Sequence, residues 1–545
     1  MKNFEIYLIQ RQRRISESGE REDFYIFNVE VGGNVVRTEV SESELESFGW
    51  VRKATHGTAY YMQKKGLEGR FYEYVHKVIE DEIATAPAVT CFESNGWHRV
   101  GLQWVYVEGS GSIGGMCKDV FGNPELRLIG HPALSEYEAA CQFLNLTYLT
   151  VDCDKAKFLM AYVATSVLGT LYGEAGLPLQ YVLAIVGTTN SMKTSIAKVF
   201  SNLWNAGEKK TPDVTFASTR GGLETYVKEY RDAILLVDDF MPADNATEMN
   251  QQIAKLKSLV RMYGDGVPIM RMAAGNATSR RPVNRVYGSC MITAEILPGI
   301  ESSQTRIVKI PLSPGEVNTA CLTYYQENPL IISTFLRGFI RYIAQDVEKT
   351  IRLIKGFAKI YRGHAGCKIP RFETVATQLR IGWDFVCEYL KTLGIDGEAL
   401  RSPGTQAIYR IVKKNDYEMQ KVNYASILAD SLVYGITKKG GTKTLEKITE
   451  WGGDQVYEDE KKYYVTSNVL FQFYQEYCKS QGVMAYFTKS DMVKKLIENG
   501  MVETSIDERH YVQASRKLCQ GAGNYQRFLY IHKAMIQKIV SGEDA

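Results

Sequence analysis

A loop of small and polar residues lies between a short apolar run and a segment with helical character. The run is YVLAIV, residues 181–186, and the segment IAKVFSNLW follows the loop. Such a loop can aim backbone N–H groups at phosphate oxygens, and the dipole of the following helix favours negative charge there. Lys193 is expected to reach the β- and γ-phosphates of a nucleotide, and Thr194 to give its hydroxyl to Mg²⁺. The pattern predicts an ATP–Mg²⁺ site with a loop of Gly187, Thr188, Thr189, Asn190, Ser191, Met192, Lys193, Thr194 and Ser195.

One position of this loop departs from the phosphate-loop pattern G-x-x-x-x-G-K-[ST]. Met192 stands where the second glycine is expected, whereas Gly187 keeps the first and permits the tight turn out of the strand. If the backbone of Met192 has a positive φ, its side chain strains the loop by about 1–3 kcal/mol. An ordinary polar turn between a strand and a helix, which happens to contain Lys-Thr, is the alternative interpretation.

Two adjacent carboxylates end a second apolar run. In YRDAILLVDDFMP, the apolar residues 234–237 lead directly into Asp238 and Asp239. Carboxylates at the end of a buried strand are costly unless a cation or hydrogen bonds compensate them, and a Walker B arrangement supplies the cation. Asp238 is then expected to hold the Mg²⁺ shell and Asp239 to polarise the attacking water. A pair of helix N-cap residues is the alternative.

Two further strands are predicted downstream, each with a polar residue at one end. In GSCMITAEILPG a short strand ends at Thr293, with Glu295 two residues later, and in SSQTRIVKIPL Arg306 comes at the start of the next strand. Buried strands that alternate with helices are the signal of a parallel sheet. The candidate strands of this sheet are 181–186, 234–237, 289–293 and 306–311.

The patterns on either side of the sheet differ, so the chain divides into several domains. The N-terminal part contains the strand FYIFNVEV, a hairpin around Gly101 and one amphipathic helix over 67–83. The tail from about residue 456 has the pattern of a strand, three helices and a two-strand wing. The sequence predicts an α/β protein with an N-terminal β-rich accessory domain over 1–130, a P-loop ATPase domain over 131–345, a helical extension and linker over 346–445, and a winged-helix domain over 446–545.

Composition narrows the class of protein but not its partner. The 545 residues are 45% hydrophobic and 23% charged, which is typical of an ordinary globular protein. Ten cysteines without a Cys-x-x-Cys pair argue against a zinc module and a disulfide framework, and favour a reduced, cytoplasmic protein. The N-terminus lacks the pattern of a signal peptide and no apolar stretch is long enough to span a membrane, so no membrane partner is expected. A net charge of +3 is too mild to indicate nucleic acid.

With these four motifs in order, the chain resembles AAA+ helicases of the superfamily 3 and MCM-like group. More specifically, it looks like the replicative ATPases of plasmids, phages and chromosomal mobile elements that carry a domain-of-unknown-function core, among them the cassette chromosome helicases. The segments SNGWHRVGLQWVYVEGSGSIG and STRGGLETYVKEYRDAILLVDDF extend the likeness, which covers about residues 25–345. The resemblance implies a hexameric ring that hydrolyses ATP at subunit interfaces and moves along single-stranded or forked DNA.

The resemblance also implies roles for three of the residues above. AAA+ proteins place a polar sensor residue on a strand between the two Walker strands, and Thr293 is the first candidate with Glu295 second. Arg306 falls where an arginine finger would reach the neighbouring subunit's ATP, and such a group is worth about 10³–10⁵ in rate in the best cases. A commonplace Thr at a strand end and a surface Arg at a strand start are the alternatives.

A basic segment before the sensor strand is the first candidate for DNA binding. RMYGDGVPIMRMAAGNATSRRPVNR contains five arginines against one acid and is expected to form a β-hairpin. In the resembled helicases such a hairpin grips DNA in the central pore, so Arg271, Arg280 and Arg281 are the candidates. A surface hairpin with solvated arginines is the alternative. Lys489, Lys494 and Lys495 in the tail are candidates for a second DNA contact or a protein interface.

Two rival functions stay open at this point. Met192 and the Asp-Asp pair are compatible with a degraded site, hence with a non-hydrolysing nucleotide switch or a DNA-binding scaffold. An NTPase that remodels protein, or that acts in host defence without unwinding DNA, is the other. No nuclease or primase constellation is evident, so a separate primase or single-strand-binding protein is an expected partner.

Overall fold

The structure is a computed structural model of the chain, which describes most but not all of its residues. No helix in this part of the chain is both long enough and apolar enough to cross a membrane. The described residues are 2–16, 19–61, 70–114, 119–124, 126–204, 214–240, 246–266, 285–295, 297, 305–420, 424–445, 454–481, 487–506, 512–520 and 524–541.

The N-terminal part contains a five-stranded sheet and a separate three-stranded sheet. The five-stranded sheet has the order β3-β2-β1-β4-β8, from β1 (Phe4–Ile15), β2 (Arg21–Val31), β3 (Asn34–Ser41), β4 (Ala88–Phe92) and β8 (Val120–Phe121). One face of it is covered by α1 (Gly49–Ala54) and α2 (Arg70–Glu82), the latter on the predicted helical segment. The smaller sheet consists of β5 (Gly96–Val100), β6 (Gln103–Glu108) and β7 (Gly111–Ile113). The predicted hairpin around Gly101 is confirmed, because β5 and β6 pair antiparallel.

A four-stranded parallel sheet forms the centre of the molecule. Its order is β10-β11-β9-β12, from β9 (Val182–Val186), β10 (Ile234–Phe240), β11 (Ser289–Ala294) and β12 (Ile307–Pro311). The four predicted strands are confirmed, although β10 continues three residues further than expected. The strands are buried nearly throughout because helices cover them, among them α6 (Lys193–Ser201), α7 (Arg220–Glu229) and α8 (Ala246–Asp265).

The helices that precede this sheet along the chain and those that follow it share its hydrophobic core. Before the sheet come α3 (Glu136–Asn145), α4 (Cys153–Ser166) and α5 (Gly169–Glu174). After it come α9 (Thr319–Glu327), α10 (Leu330–Ala344), α11 (Val347–Tyr361), α12 (Pro370–Thr392) and α13 (Gly397–Gln420). Two short 3₁₀ helices, Glu42–Glu44 and Leu146–Leu149, complete the helical elements up to this point of the described chain. One continuous cluster of buried side chains extends from Trp97 to Val412, so these helices and the central sheet pack as one body.

The C-terminal part has its own buried cluster, which extends from Leu428 to Ile536. Its elements are α14 (Tyr424–Lys438), β13 (Lys443–Thr444), β14 (Tyr457–Glu458), β15 (Lys462–Val465), α15 (Ser467–Ser480), α16 (Lys489–Glu498), β16 (Ser505–Ile506), β17 (Val512–Gln513), β18 (Ser515–Gln520), β19 (Asn524–His532) and α17 (Lys533–Ser541). Five of the strands form a sheet of order β13-β14-β15-β19-β18, and β16 pairs with β17. The sequence pattern placed three helices before a two-strand wing, and that order is wrong: α15 and α16 precede the β18–β19 hairpin, and α17 follows directly from β19.

Candidate nucleotide site

The predicted phosphate loop joins the end of β9 to the start of α6, at the edge of the sheet where the parallel strands end. Gly187 is the first residue after β9 and has no room for a side chain. A Cβ at this position would lie closer than 3.0 Å to the carbonyl oxygen of Leu312 and to the hydroxyl of Ser191. The Gly187 N–H donates to the carbonyl oxygen of Ala294 at 3.1 Å, which ties the loop to the end of β11. A glycine is therefore required at this position, and the strand order fixes where the loop starts.

Met192, which stands where the loop pattern has its second glycine, adopts the left-handed backbone conformation. Its φ is 59° and its ψ is 22°, and Asn190 has a φ of 68°. Asparagine tolerates this region, but a side chain such as that of methionine costs about 1–2 kcal/mol there. The Met192 side chain is 40% exposed, so its burial offsets the strain only in part. The loop thus has the backbone turn that a glycine would give, at the cost of local strain.

Two hydroxyls and one carboxylate meet beside the start of α6. The Thr194 hydroxyl donates to Asp238 Oδ1 at 3.0 Å, and the Thr293 hydroxyl donates to the same oxygen. Among the described residues no group of three or more His, Cys, Asp or Glu side chains is arranged to hold a metal ion. One carboxylate with one hydroxyl is nevertheless a set that fits Mg²⁺, which keeps several waters and takes phosphate oxygens as its other ligands.

Asp239 is turned away from the strand by a bulge. The register between β10 and β11 shifts between Val237 and Phe240, so β10 has one extra residue there. Asp239 has a φ of 64°, and its N–H donates to the Thr293 hydroxyl at 2.9 Å. Partial burial and the neighbouring Asp238 carboxylate raise the pKa of Asp239, while Lys193 acts in the opposite direction. The bulge therefore directs two adjacent carboxylates into different surroundings.

Glu295 reaches the phosphate loop from the end of β11. Its Oε1 accepts a hydrogen bond from the Thr189 hydroxyl at 2.7 Å and lies 3.9 Å from Lys193 Nζ. The two sensor candidates of the sequence therefore have different neighbours. Thr293 contacts the carboxylate pair, and Glu295 contacts the loop and its lysine. Because β11 lies between β9 and β10, both contacts are made at one edge of the sheet.

Arg306 lies at the opposite edge of the sheet. Its carbonyl oxygen accepts from the N–H of Val182 at the first residue of β9, so a five-residue strand of about 16 Å separates it from the loop. Its guanidinium packs over Gly264 and pairs with Asp265 at 2.6 Å. Within one chain Arg306 is therefore remote from the phosphate loop, and its predicted role requires the site of a neighbouring subunit.

The remaining candidates for DNA binding are divided between described and undescribed parts of the chain. Arg271, Arg280 and Arg281 lie outside the described residues. In the tail, Lys489 donates to Asn468 at 2.8 Å and Lys495 pairs with Glu498 at 2.8 Å. Their contact with DNA stays a prediction.

Sequence reasoning missed a buried carboxylate at the start of β10. Asp232 is fully buried and accepts hydrogen bonds from the N–H of Trp97 at 2.9 Å and from the N–H and hydroxyl of Thr170, both at 2.6 Å. Burial raises the pKa of Asp232 to about 6. Asp232 thus joins the β5–β6 hairpin and α5 to the strand that carries Asp238 at its other end. An Arg-Asp pair directly before a buried strand was the only sequence signal of this arrangement.

Comparison with known proteins identifies the fold alone. No protein-family model matches the sequence, and no curated protein matches it. Among solved structures, the active helicase Cch of SCCmec type IV is similar over 98% of this chain and 94% of its own, with a TM-score of 0.57 and 9% identity. The C-terminal region of NrS-1 aligns over 96% of each chain with a TM-score of 0.30 and 11% identity, and JCV helicase over 41% of this chain and 64% of its own with 0.23 and 14%. The last two scores are too low to support an argument, and the first gives the chain a helicase-like fold of mixed α/β class.

Proposed function

We propose that this protein is an ATP-dependent DNA helicase or translocase with a P-loop AAA+ core. The observation that carries the proposal is the meeting of Lys193, Thr194 and Asp238 at one edge of a parallel sheet, in a chain with a helicase-like fold. Their order along the chain is that of a phosphate loop followed by a carboxylate strand. The proposed cofactors are ATP and Mg²⁺, and the proposed partner is single-stranded and forked DNA.

Each residue of the site has its own proposed role in nucleotide binding. Lys193, 12% exposed beside Glu295, would contact the β- and γ-phosphates, which would replace Glu295 as its nearest negative group. The hydroxyl of Thr194 and the carboxylate of Asp238 would hold Mg²⁺, which neutralises phosphate charge when bound. Thr293 is a positioning residue, because its hydroxyl orients Asp238 and fixes the amide of Asp239.

Asp239 is the proposed acceptor of the proton from the attacking water. Partial burial, and then the neighbouring Asp238 carboxylate, raise the pKa of Asp239, and a base with a raised pKa takes up a proton more readily. The bulge in β10 separates the two carboxylates, so one can serve the cation while the other faces the water.

The wider assembly follows from the same proposal. Arg306, remote from the loop of its own chain, would serve as the arginine finger for a neighbouring subunit in a hexameric ring. Arg271, Arg280 and Arg281 would contact DNA in the pore, and the C-terminal part would act as a winged helix. The proposed role is unwinding at the origin of a mobile element, plasmid or phage, with priming supplied by another protein.

A non-hydrolysing nucleotide switch is the second candidate, and two observations favour it. Met192 and Asp239 both have positive φ, which is strained for a residue with a side chain. Asp239 is also one methylene shorter than the glutamate that many ATPases have at this position. A switch would need the phosphate loop but not an efficient base.

Strand displacement on a forked DNA substrate tests the proposed function. The wild-type protein should separate the strands in the presence of ATP and Mg²⁺, whereas Asp239→Asn should bind nucleotide and fail to separate them. Displacement by neither protein, together with normal ATP turnover by the wild type, would point instead to an NTPase that does not unwind DNA. Nucleotide binding without turnover in the wild type would favour the switch.

A further inference from the structure

Helix α11 has two faces of opposite character. Val347, Thr350 and Ile354 are buried, and Phe357 and Tyr361 pack against the central core. The side chains on the other face are exposed. A helix whose apolar face is already covered by its own protein has only the second face available for a partner.

The exposed face of α11 carries a row of cations. Arg352, Lys355 and Lys359 follow each other at intervals of three and four residues, which places them on one side of the helix, and Arg362 comes immediately after its end. All four are exposed. We call these four residues the α11 basic row.

None of the four side chains of the α11 basic row makes an ion pair with a described residue. Glu348, one turn before Arg352, is the carboxylate that its charge reaches: hydrogen bonds from Trp104 and Arg99, together with the charges of Arg99 and Arg352, lower the pKa of Glu348. That carboxylate is already held by Arg99 at 2.6 Å and by the Trp104 ring N–H at 3.0 Å. Cations three and four residues apart on a helix repel each other and weaken it slightly. The row is therefore an unfavourable arrangement for the isolated chain, and a polyanion would compensate it.

The dimensions of the row fit a nucleic-acid backbone. Arg352 and Arg362 are ten positions apart, which is about 15 Å along a helix. Each strand of duplex DNA carries a phosphate about every 3.4 Å of helix axis, so the row spans about four phosphates of one duplex strand. An anionic lipid surface is a poorer fit, because a helix that binds at a membrane interface buries its apolar face in the lipid and that of α11 is packed in the core.

We propose that the α11 basic row is a contact surface for the DNA backbone, separate from the segment that contains Arg271, Arg280 and Arg281. The proposal takes its partner from the proposed function but not its site. It predicts sequence-independent binding that weakens as salt rises, because the contacts are to phosphates and not to bases.

The test compares two variants with the same change in net charge. One is Arg352→Gln/Lys355→Gln/Lys359→Gln. The matched control is Lys77→Gln/Lys228→Gln/Lys479→Gln, which removes three exposed lysines that are scattered over the chain and make no ion pair with a described residue. Binding of a fluorescent oligothymidine is measured by anisotropy over a range of salt concentrations, without nucleotide.

The row variant should bind the oligonucleotide about tenfold more weakly than the wild type at physiological salt. The slope of log K against log salt concentration should also be smaller in magnitude by about 2, because each of the three lost contacts to a single strand contributes about 0.7 to that slope. The control should stay within about twofold of the wild type. Equal losses in both variants, or none in either, would overturn the proposal.

Vesicles containing phosphatidylserine provide the second arm. Tighter binding of wild type to vesicles than to DNA, lost only in the row variant, would assign the row to a lipid surface and overturn the proposal. ATP turnover is measured on the same proteins. Normal DNA-stimulated turnover with identical DNA affinity in the two variants would refute this inference alone, whereas absence of turnover in the wild type would refute the proposed function.

Discussion

The strain at Met192 can be measured by comparing two substitutions at that position. Met192→Gly and Met192→Ala both remove the partly buried side chain, so the loss of packing is the same in each. Only glycine relieves the left-handed backbone at φ 59°, which is worth about 1–2 kcal/mol. Glycine also gives the unfolded chain more freedom, at a cost of about 0.4–1 kcal/mol. The net advantage of glycine over alanine is therefore about 1 kcal/mol.

Thermal unfolding of the two variants is the assay for this difference. In a domain of the size predicted here, about 1 kcal/mol shifts Tm by about 2–4 °C, so Met192→Gly should unfold that much later than Met192→Ala. Nucleotide affinity should differ by less than about twofold, because the nucleotide-free loop already has the left-handed turn and the strain is the same before and after binding. Equal Tm values would show that Met192 is not strained. A large gain in affinity for glycine with no change in Tm would show that the turn forms only with nucleotide.

Three further predictions concern residues around the site. Thr293→Val removes the hydroxyl that orients Asp238, so steady-state assays should show ATP turnover about 10–100-fold slower, with nucleotide binding kept. Gly187→Ala places a Cβ against the carbonyl oxygen of Leu312, and nucleotide titration should show no binding. Burial raises the pKa of Asp232 from 3.8 to about 6, so the folded state binds its proton more tightly than the unfolded state and this contribution to stability is lost as pH rises through that range. Asp232→Asn should therefore flatten the decline of Tm over this pH range, and should lower Tm overall because the amide has one acceptor oxygen for donors on two elements.

The local patterns of the central sheet could be predicted from the sequence. Short apolar runs bounded by glycine or polar residues predicted the four strands, and the segment between the first run and the helix after it predicted the position of the proposed phosphate loop. The loop pattern raised a positive φ at Met192 only as a condition for strain, and the structure meets that condition. These features depend on neighbouring residues alone, which a single sequence contains.

Features that depend on contacts between distant segments could not be predicted. The hydrogen bond from Thr293 to Asp238 lies at the bulge in β10, which no local pattern predicted. The position of β11 between β9 and β10 was expected only from the family resemblance, and it is confirmed. The partners of Asp232 come from residues 62 and 135 positions earlier in the chain. The sequence pattern placed all three helices of the tail before the two-strand wing, whereas α17 follows it. A helical pattern of apolar residues shows that a helix forms, but it does not show on which side of a hairpin the helix packs.

ATP turnover with and without single-stranded DNA, measured on the wild type and on Lys193→Ala, tests whether the loop from Gly187 to Ser195 serves an ATP-driven motor. The Lys193 side chain is largely buried, lies 3.9 Å from the Glu295 carboxylate and acts electrostatically on Asp239. Since it makes no closer ion pair with a described residue, its removal should affect phosphate binding far more than folding. The wild type should hydrolyse ATP at a rate that DNA stimulates, and the variant should lose this hydrolysis. Absence of hydrolysis in the wild type, or equal hydrolysis in both proteins, would contradict the assignment of this loop to an ATP-driven motor.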